Sequence, residues 1–258
     1  MSILEEFLLG GRTALVTGGA GLYGRQIVAA LAEAGAEVYM AARNLEALEQ
    51  VASLHQEAGR KVTALQMDQG EEDSILAARE AILSRSGRID ILVNNAVLRP
   101  MKSYHDHAAA FARSIEVNAT GLFMITRAVG EVMQAGGSII NVGSIQGMVG
   151  PDPTNYRGTD MNGFIPDYFF HKGGMINFTR FIAGYYGNRG ITCNCISPGG
   201  FRTESQPEAF VKQYSDRTML GRLAGDEDLK GIIVFLASSA SSYITGANIP
   251  VDGGYTAK

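Results

Sequence analysis

Residues Arg12 to Gly24 read RTALVTGGAGLYG. Arg12–Thr17 is a short apolar run rich in strand formers. Gly18, Gly19 and Gly21 follow directly, and Leu22 to Ala34 then carries apolar residues at Ile27, Val28 and Leu31, a helical spacing. A strand that passes through glycines into a helix lets backbone approach a pyrophosphate. The first helical turn also offers free N–H groups and the positive end of its dipole. The stretch therefore predicts a phosphate-binding turn in which Gly18, Gly21, Leu22, Tyr23 and Gly24 meet a dinucleotide. A glycine-rich turn without a ligand is the plainer alternative, and the rest of the chain argues against it.

Outward from this turn, apolar β-rich runs alternate with segments of helical period. Strands are expected over Ala36–Ala42, Lys61–Met67, Ile89–Asn94, Gly137–Val142, Ile191–Ile196 and near Asn248–Val251. Helices are expected over Leu45–Ala58, Glu71–Ser84, roughly 105–115 and 116–134, Tyr168–Tyr186 and Asp226–Ala237. Nearly continuous apolar strands alternating with helices imply a parallel sheet covered on both faces. The expected fold is α/β: one Rossmann-like, doubly wound domain over 1–258 with about seven strands. One long irregular stretch interrupts it, 147–166, GMVGPDPTNYRGTDMNGFIP, which holds three of the seven prolines. A loop of that length in a compact domain is usually functional.

The bulk numbers narrow the class. Of 258 residues, 46% are hydrophobic and 19% charged, with a net charge of −4. That composition suits a globular core. No basic stripe suggests a nucleic-acid partner, and no apolar run approaches a bilayer span of about 18 residues. The N-terminal MSILEEFLLG has two glutamates and no basic segment, so no signal peptide is expected. Cys193 and Cys195 alternate along one expected strand and point to one face, where an i,i+2 disulfide is geometrically poor. They read as reduced core residues, and a cytoplasmic location is expected.

The end of the second strand bears on cofactor choice. An acidic residue there would bind the ribose 2′-hydroxyl of NAD. This chain has Ala41-Ala42-Arg43-Asn44, and Arg43 could pair with a 2′-phosphate. NADP is the favoured cofactor and NAD the alternative. Asp68, ending the third strand, is placed either at the adenine or as a helix N-cap.

Taken together, these motifs resemble those of the classical short-chain dehydrogenases/reductases over essentially the whole chain. The TGxxxGxG pattern of that family is seen as Thr17, Gly18 and Gly24, with Leu22 in place of the middle glycine. NNAG appears as Asn94-Asn95-Ala96 followed by Val97. The resemblance implies a catalytic set of Asn118 (VNATG), Ser144 (NVGSIQG), Tyr168 and Lys172 (YFFHK). It also implies cofactor contacts at Asn95, Ala96, Tyr168, Lys172, the Pro198-Gly199 turn and Thr203, and a homotetramer with helices near 105–134 and 168–186 at one interface. Ser144 and Tyr168 stand about twice as far apart as is usual. Tyr156 lies at the ordinary distance, but Asp160 follows it at i+4, whereas Tyr168 is followed by Lys172. The extra residues thus read as an insertion.

The chemistry follows from these residue types. Residues i and i+4 share a helical face, so Lys172 can lower the proton affinity of the Tyr168 phenol. Tyr168 is then the general acid/base, and Ser144 holds the substrate oxygen. By resemblance, Asn118 holds a water behind Lys172, and Lys172 grips the nicotinamide ribose. Substrate contacts are expected from Ser144, Gln146 and Tyr168.

The insertion offers Asp152, Asn155, Tyr156, Arg157, Asp160 and Asn162, and Arg99, Lys102 and Arg202 could pair with a carboxylate. Such groups favour a sugar, polyol or sugar acid. A 3-oxoacyl or generic ketone substrate is the alternative, and a non-catalytic NADP-binding sensor is a third reading. His105 and His107 lack further ligands, so no metal is expected. A mobile lid is expected over Glu204–Tyr214.

Overall fold

A computed structural model describes residues 2–258. The strands are β1 Thr13–Thr17, β2 Glu37–Ala42, β3 Val62–Gln66, β4 Ile91–Asn94, β5 Ser138–Val142, β6 Thr192–Pro198 and β7 Asn248–Val251. The helices are α1 Leu22–Glu33, α2 Leu45–Glu57, α3 Glu72–Ser86, α4 Ala108–Ile115, α5 Gly121–Gly130, α6 Pro166–Tyr186, α7 Glu208–Arg217 and α8 Lys230–Ala237. All strand pairs are parallel, in the order β3-β2-β1-β4-β5-β6-β7. The order reverses between β1 and β4, and ligands bind at such a switch point, beyond the carboxyl ends of the strands.

Alternation along the strands divides the core into two layers. Val16, Met40, Val93, Ile140 and Ile196 face α1, α2 and α8, burying Ile27, Leu31, Leu48, Ile233 and Leu236. Leu15, Tyr39, Leu92, Ile139 and Cys193 face α3, α5 and α6, burying Ile75, Ile82, Ile125, Val129 and Ile182. This period of two is why each strand reads as a continuous apolar run. Cys193 and Cys195 are free thiols, both fully buried. No helix of the described residues is long and apolar enough to cross a membrane.

Three elements differ from the sequence reading. The two helices expected over 105–134 form one continuous rod from Ala108 to Gly130, widened by a π-helical turn at Glu116–Thr120. Such turns recur at functional sites, and this one contains Asn118. The expected α6 start at Tyr168 moves to Pro166, because proline suits the first helical position. Within the stretch expected as a lid, residues 208–217 form a helix not read from the sequence, α7, which seats Phe210 and Tyr214 in a small apolar cluster with Ile145 and Leu223.

The turn after β1 depends on glycine at two positions. Gly18 has φ of +68°, which L side chains avoid. A Cβ on Gly24 would collide with the carbonyl oxygen of Gly18 and lie 2.9 Å from the Gly19 carbonyl carbon. Both obstacles are backbone and cannot rotate away. Gly24→Ala should therefore destabilise the fold by about 2–3 kcal/mol and abolish dinucleotide binding. Urea unfolding and a fluorescence titration with NADPH would check this.

Candidate functional site

The β1 turn is fastened to the end of β4. Thr17 Oγ1 accepts hydrogen bonds from the backbone N–H groups of Asn95 (3.1 Å) and Ala96 (2.9 Å). Asn95 Nδ2 donates to the carbonyls of Thr17 and Gly18, both at 3.0 Å. Asn95 thus holds the shape of the phosphate turn. Leu22 and Val97 replace family glycines without strain, since every positive φ among the described residues belongs to glycine. Their side chains point outward, 59% and 40% exposed. The Tyr23 hydroxyl is committed too, donating to the Gly199 carbonyl at 2.8 Å. It ties the start of α1 to the turn after β6, where the Gly199 N–H donates to Val251 O at 3.0 Å. Pro198 ends β6 beside Val251, and the Thr203 N–H donates to Gln206 Oε1 at 3.1 Å.

Beside the turn lies a cleft of about 280 Å³ lined by Gly18, Ala42, Arg43, Asp68, Ala96 and Leu98, among others. The glycine turn, the exposed Arg43 at its rim and the free N-terminus of α1 suit a phosphorylated dinucleotide. Asp68 is not a helix N-cap as one reading expected. Its Oδ1 accepts from the Gly70 N–H at 2.9 Å, and the α3 N-cap is Glu71, with no side-chain cap bond.

Ser144, Tyr168 and Lys172 come together where β5 ends against α6. The Ser144 Oγ accepts from the Gln146 N–H at 3.1 Å, and Ser144 stands beside the Tyr168 hydroxyl, where it favours the ionised phenol. Lys172 is only 3% exposed, and its Nζ donates to the Val142 carbonyl at 2.6 Å. That Nζ lies 5.7 Å from the centroid of the Tyr168 ring. The Arg99 guanidinium, from the loop after β4, lies 4.3 Å above the same ring.

Burial alone would push the Tyr168 phenol up. The charges of Lys172 and Arg99, with the polar Ser144 side chain beside the hydroxyl, outweigh it and hold the phenol below its ordinary value. Burial likewise pushes the Lys172 ammonium down, with Tyr168 opposing it. His171 lies edge-on to Tyr168 at 5.2 Å. Burial, then the charges of Lys172 and Arg99, push it down to about 3, so it is uncharged near pH 7. His171 and the fully buried Asp167 have no hydrogen-bond partner for their side-chain polar atoms.

Tyr156 sits apart from this cluster. Its ring packs on Phe210 at 5.6 Å and abuts Gly163, and burial, with Tyr255 and Asp152 adding to it, pushes its phenol up. Tyr168, not Tyr156, is the tyrosine brought to Lys172. The side chain of Asn118 is spent within the protein. Its Nδ2 donates to Leu98 O (2.7 Å) and Ser114 Oγ (2.9 Å), and its Oδ1 accepts from the Leu98 N–H at 2.8 Å. Its side chain latches the loop that carries Arg99.

The insertion is less open to substrate than its composition suggests. Asp152 is ion-paired with Arg217 of α7, and Arg217 Nη2 also donates to Thr154 Oγ1 at 3.0 Å. Asn155 Nδ2 donates to the Tyr255 hydroxyl at 2.7 Å, Asn162 Nδ2 to Lys102 O at 2.8 Å, and Gln213 Nε2 to Arg157 O at 2.8 Å. The insertion is therefore sewn to α7 and to the β4–α4 loop. Asp152, Asn155 and Asn162, read as substrate groups, bind protein instead.

Sequence reasoning passed over Asn141 and Thr179. Asn94 Nδ2 donates to Asn141 Oδ1 (2.8 Å) and Asn141 Nδ2 to Thr179 Oγ1 (2.9 Å), a buried ladder joining β4, β5 and α6. Their only signal was a polar residue at a core position of an apolar run.

Comparison with known proteins agrees with this fold. A family described as enoyl-(acyl carrier protein) reductase matches residues 21–256. Galactitol 2-dehydrogenase (L-tagatose-forming) of Cereibacter sphaeroides is 32% identical over 99% of both chains. A solved gluconate 5-dehydrogenase of Burkholderia cenocepacia, in complex with NADP and tartrate, is 31% identical and superposes with a TM-score of 0.88 over 100% of both chains. A solved NAD+-bound xylitol dehydrogenase is 26% identical, with a TM-score of 0.87 over 95% of this chain and 99% of its own.

Asn95→Ala removes two side-chain bonds from the phosphate turn. It should cost about 1–3 kcal/mol of stability and weaken NADPH binding more than tenfold, read by urea unfolding and fluorescence titration.

Proposed function

The chain belongs to the short-chain dehydrogenase/reductase family, a nicotinamide-dependent oxidoreductase acting on CH–OH groups, and from that premise we propose that it interconverts alcohol and carbonyl on a sugar, polyol or sugar acid with NADP as preferred cofactor. The observation that carries this reading is the convergence of Ser144, Lys172 and Arg99 on the hydroxyl and ring of Tyr168. On this reading the phenol accepts the proton and the Ser144 hydroxyl binds the substrate oxygen, with the Arg99 cation beside them. The relatives that act on galactitol, gluconate and xylitol support the substrate class. The enoyl-(acyl carrier protein) description of the matching family favours an acyl substrate as the second reading.

The phosphate turn at Gly18–Gly24, Asp68, Asn95, Ala96, Pro198, Gly199 and Thr203 would hold the dinucleotide, with Arg43 at the 2′-phosphate. When bound, its nicotinamide accepts or supplies hydride. In oxidation the Tyr168 phenolate accepts the hydroxyl proton of the substrate, and in reduction the phenol returns it. Ser144 donates a hydrogen bond to the substrate oxygen as its negative charge develops. Lys172, anchored by Val142, favours the phenolate and would reach the nicotinamide ribose. Asn118 acts at one remove, by positioning the Leu98–Arg99 loop. The neighbouring Gln146 backbone fixes Ser144 and leaves the Gln146 side chain for substrate.

We further infer a cytoplasmic homotetramer of single-domain subunits. Its interface would use the rod 108–130 and α6, on which Phe123, Phe170, Phe181 and Tyr185 are exposed.

Absorbance of reduced nicotinamide, followed with NADP+ or NAD+ against polyols, sugar acids and 3-oxoacyl compounds, tests the reading. Tyr168→Phe should lower kcat by about 10²–10⁴ while leaving NADPH binding intact. Oxidation should accelerate as pH rises through the phenol's lowered titration, and reduction should slow, because the phenolate fraction grows with pH. Turnover confined to acyl substrates would refute the polyol reading. Arg43→Ala should weaken NADP+ binding about tenfold and leave NAD+ nearly unchanged. Equal loss for both would refute the role of Arg43.

A further inference from the structure

Three cations were available to meet a substrate carboxylate, and the structure separates them. Arg202 Nη2 lies 3.5 Å from Glu208, and the Lys102 amine donates to the Arg99 carbonyl at 3.4 Å. The nearby Arg217 and Arg222 are likewise paired, with Asp152 and Asp228. Arg99 has no such pairing among the described residues. Its side chain is exposed, yet its place is defined. Asn118 clamps both backbone polar groups of Leu98, the preceding residue. The guanidinium is then set 4.3 Å over the Tyr168 ring, a cation–π distance. One face of the cation is used by the ring, and its remaining N–H donors are open.

We propose that Arg99 is the receptor for a substrate carboxylate, and that taking up this carboxylate draws the guanidinium off Tyr168, so that anion binding and proton binding at the phenol favour one another. The inference rests on the oxidoreductase reading above and adds a specificity-determining residue to it. Four other side chains face the phenol. These are Lys172 and His171 from α6, Ser144 from the end of β5 and Tyr23 from α1. Lys172 is buried and bonded to the Val142 carbonyl, whereas Arg99 is exposed and within reach of a substrate's charge. A carboxylate that pairs with Arg99 cancels part of the field favouring the phenolate. Linkage is reciprocal, so a protonated phenol must bind the anion more tightly than a phenolate does. A keto acid would therefore find Tyr168 charged with the proton that reduction consumes. A neutral polyol would leave Arg99 on the ring and find the phenolate that oxidation needs.

Ionisation of Tyr168 alone is read as the phenolate absorbance of the NADPH-bound protein minus that of Tyr168→Phe, followed as pH is raised. Arg99→Gln should cut the phenolate fraction about tenfold at a fixed pH below the midpoint, and Arg99→Lys should restore most of it. Saturating D-gluconate should lower the phenolate fraction of the unsubstituted protein, galactitol should not, and neither should change Arg99→Gln. A titration that Arg99→Gln leaves unmoved overturns the proposal. So does a shift produced equally by galactitol and D-gluconate, or one that persists in Arg99→Gln. The titration needs no turnover. A protein that oxidises no hydroxylated compound would refute the functional reading, and an unmoved titration in an active enzyme would refute the linkage alone.

Discussion

A lysine ammonium buried to 3% exposure, bonded to one backbone carbonyl, is the constraint around which the site is built. Removing a charge from water is costly unless it is paired and hydrogen-bonded. Lys172 meets both conditions only if α6 lies against the end of β5, so that Val142 O can accept and the Tyr168 phenol faces the cation. That seating fixes the height of Tyr168 above the sheet. It also explains Gly147, where a Cβ would stand 2.6 Å from the Lys172 carbonyl oxygen. The chain leaving Ser144 must pass close to α6, and only glycine lets it. The buried Asn94–Asn141–Thr179 ladder sets the same spacing deeper in the molecule.

The insertion between Ser144 and Tyr168 lengthens the path between two catalytic positions without separating them in space. Both ends are fixed by secondary structure, Ser144 by β5 and Tyr168 by α6, so extra residues can only bulge outward. Loop closure grows slowly more costly with length, and here much of that cost is offset by contacts with α7 and the C-terminal turn. Asp152–Arg217, Asn155–Tyr255 and the packing of Tyr156 on Phe210 make the insertion and α7 one surface. Its polar residues thus serve the protein's own hydrogen bonds, and Arg99 is left as the open cation beside the phenol.

The sequence by itself determined the doubly wound sheet, because glycine after β1 and apolar runs in alternation with helical periods allow few other arrangements. It also marked Tyr168 over Tyr156, since only Tyr168 has a lysine one helical turn on. Strand positions and most helix positions followed to within a few residues, while α7 was not foreseen. Tertiary structure alone decided what the polar side chains do. Asn118 reads as a site residue from its motif, but its partner Leu98 is twenty positions away. Asn95 becomes a fastener of the phosphate turn only when β4 lies beside β1. Arg99 and Arg202 are alike in sequence, and one is free while the other faces Glu208. The physical reason is that backbone periodicity is local and written in neighbouring residues, whereas a side chain's hydrogen bonds and charge depend on groups brought near by folding.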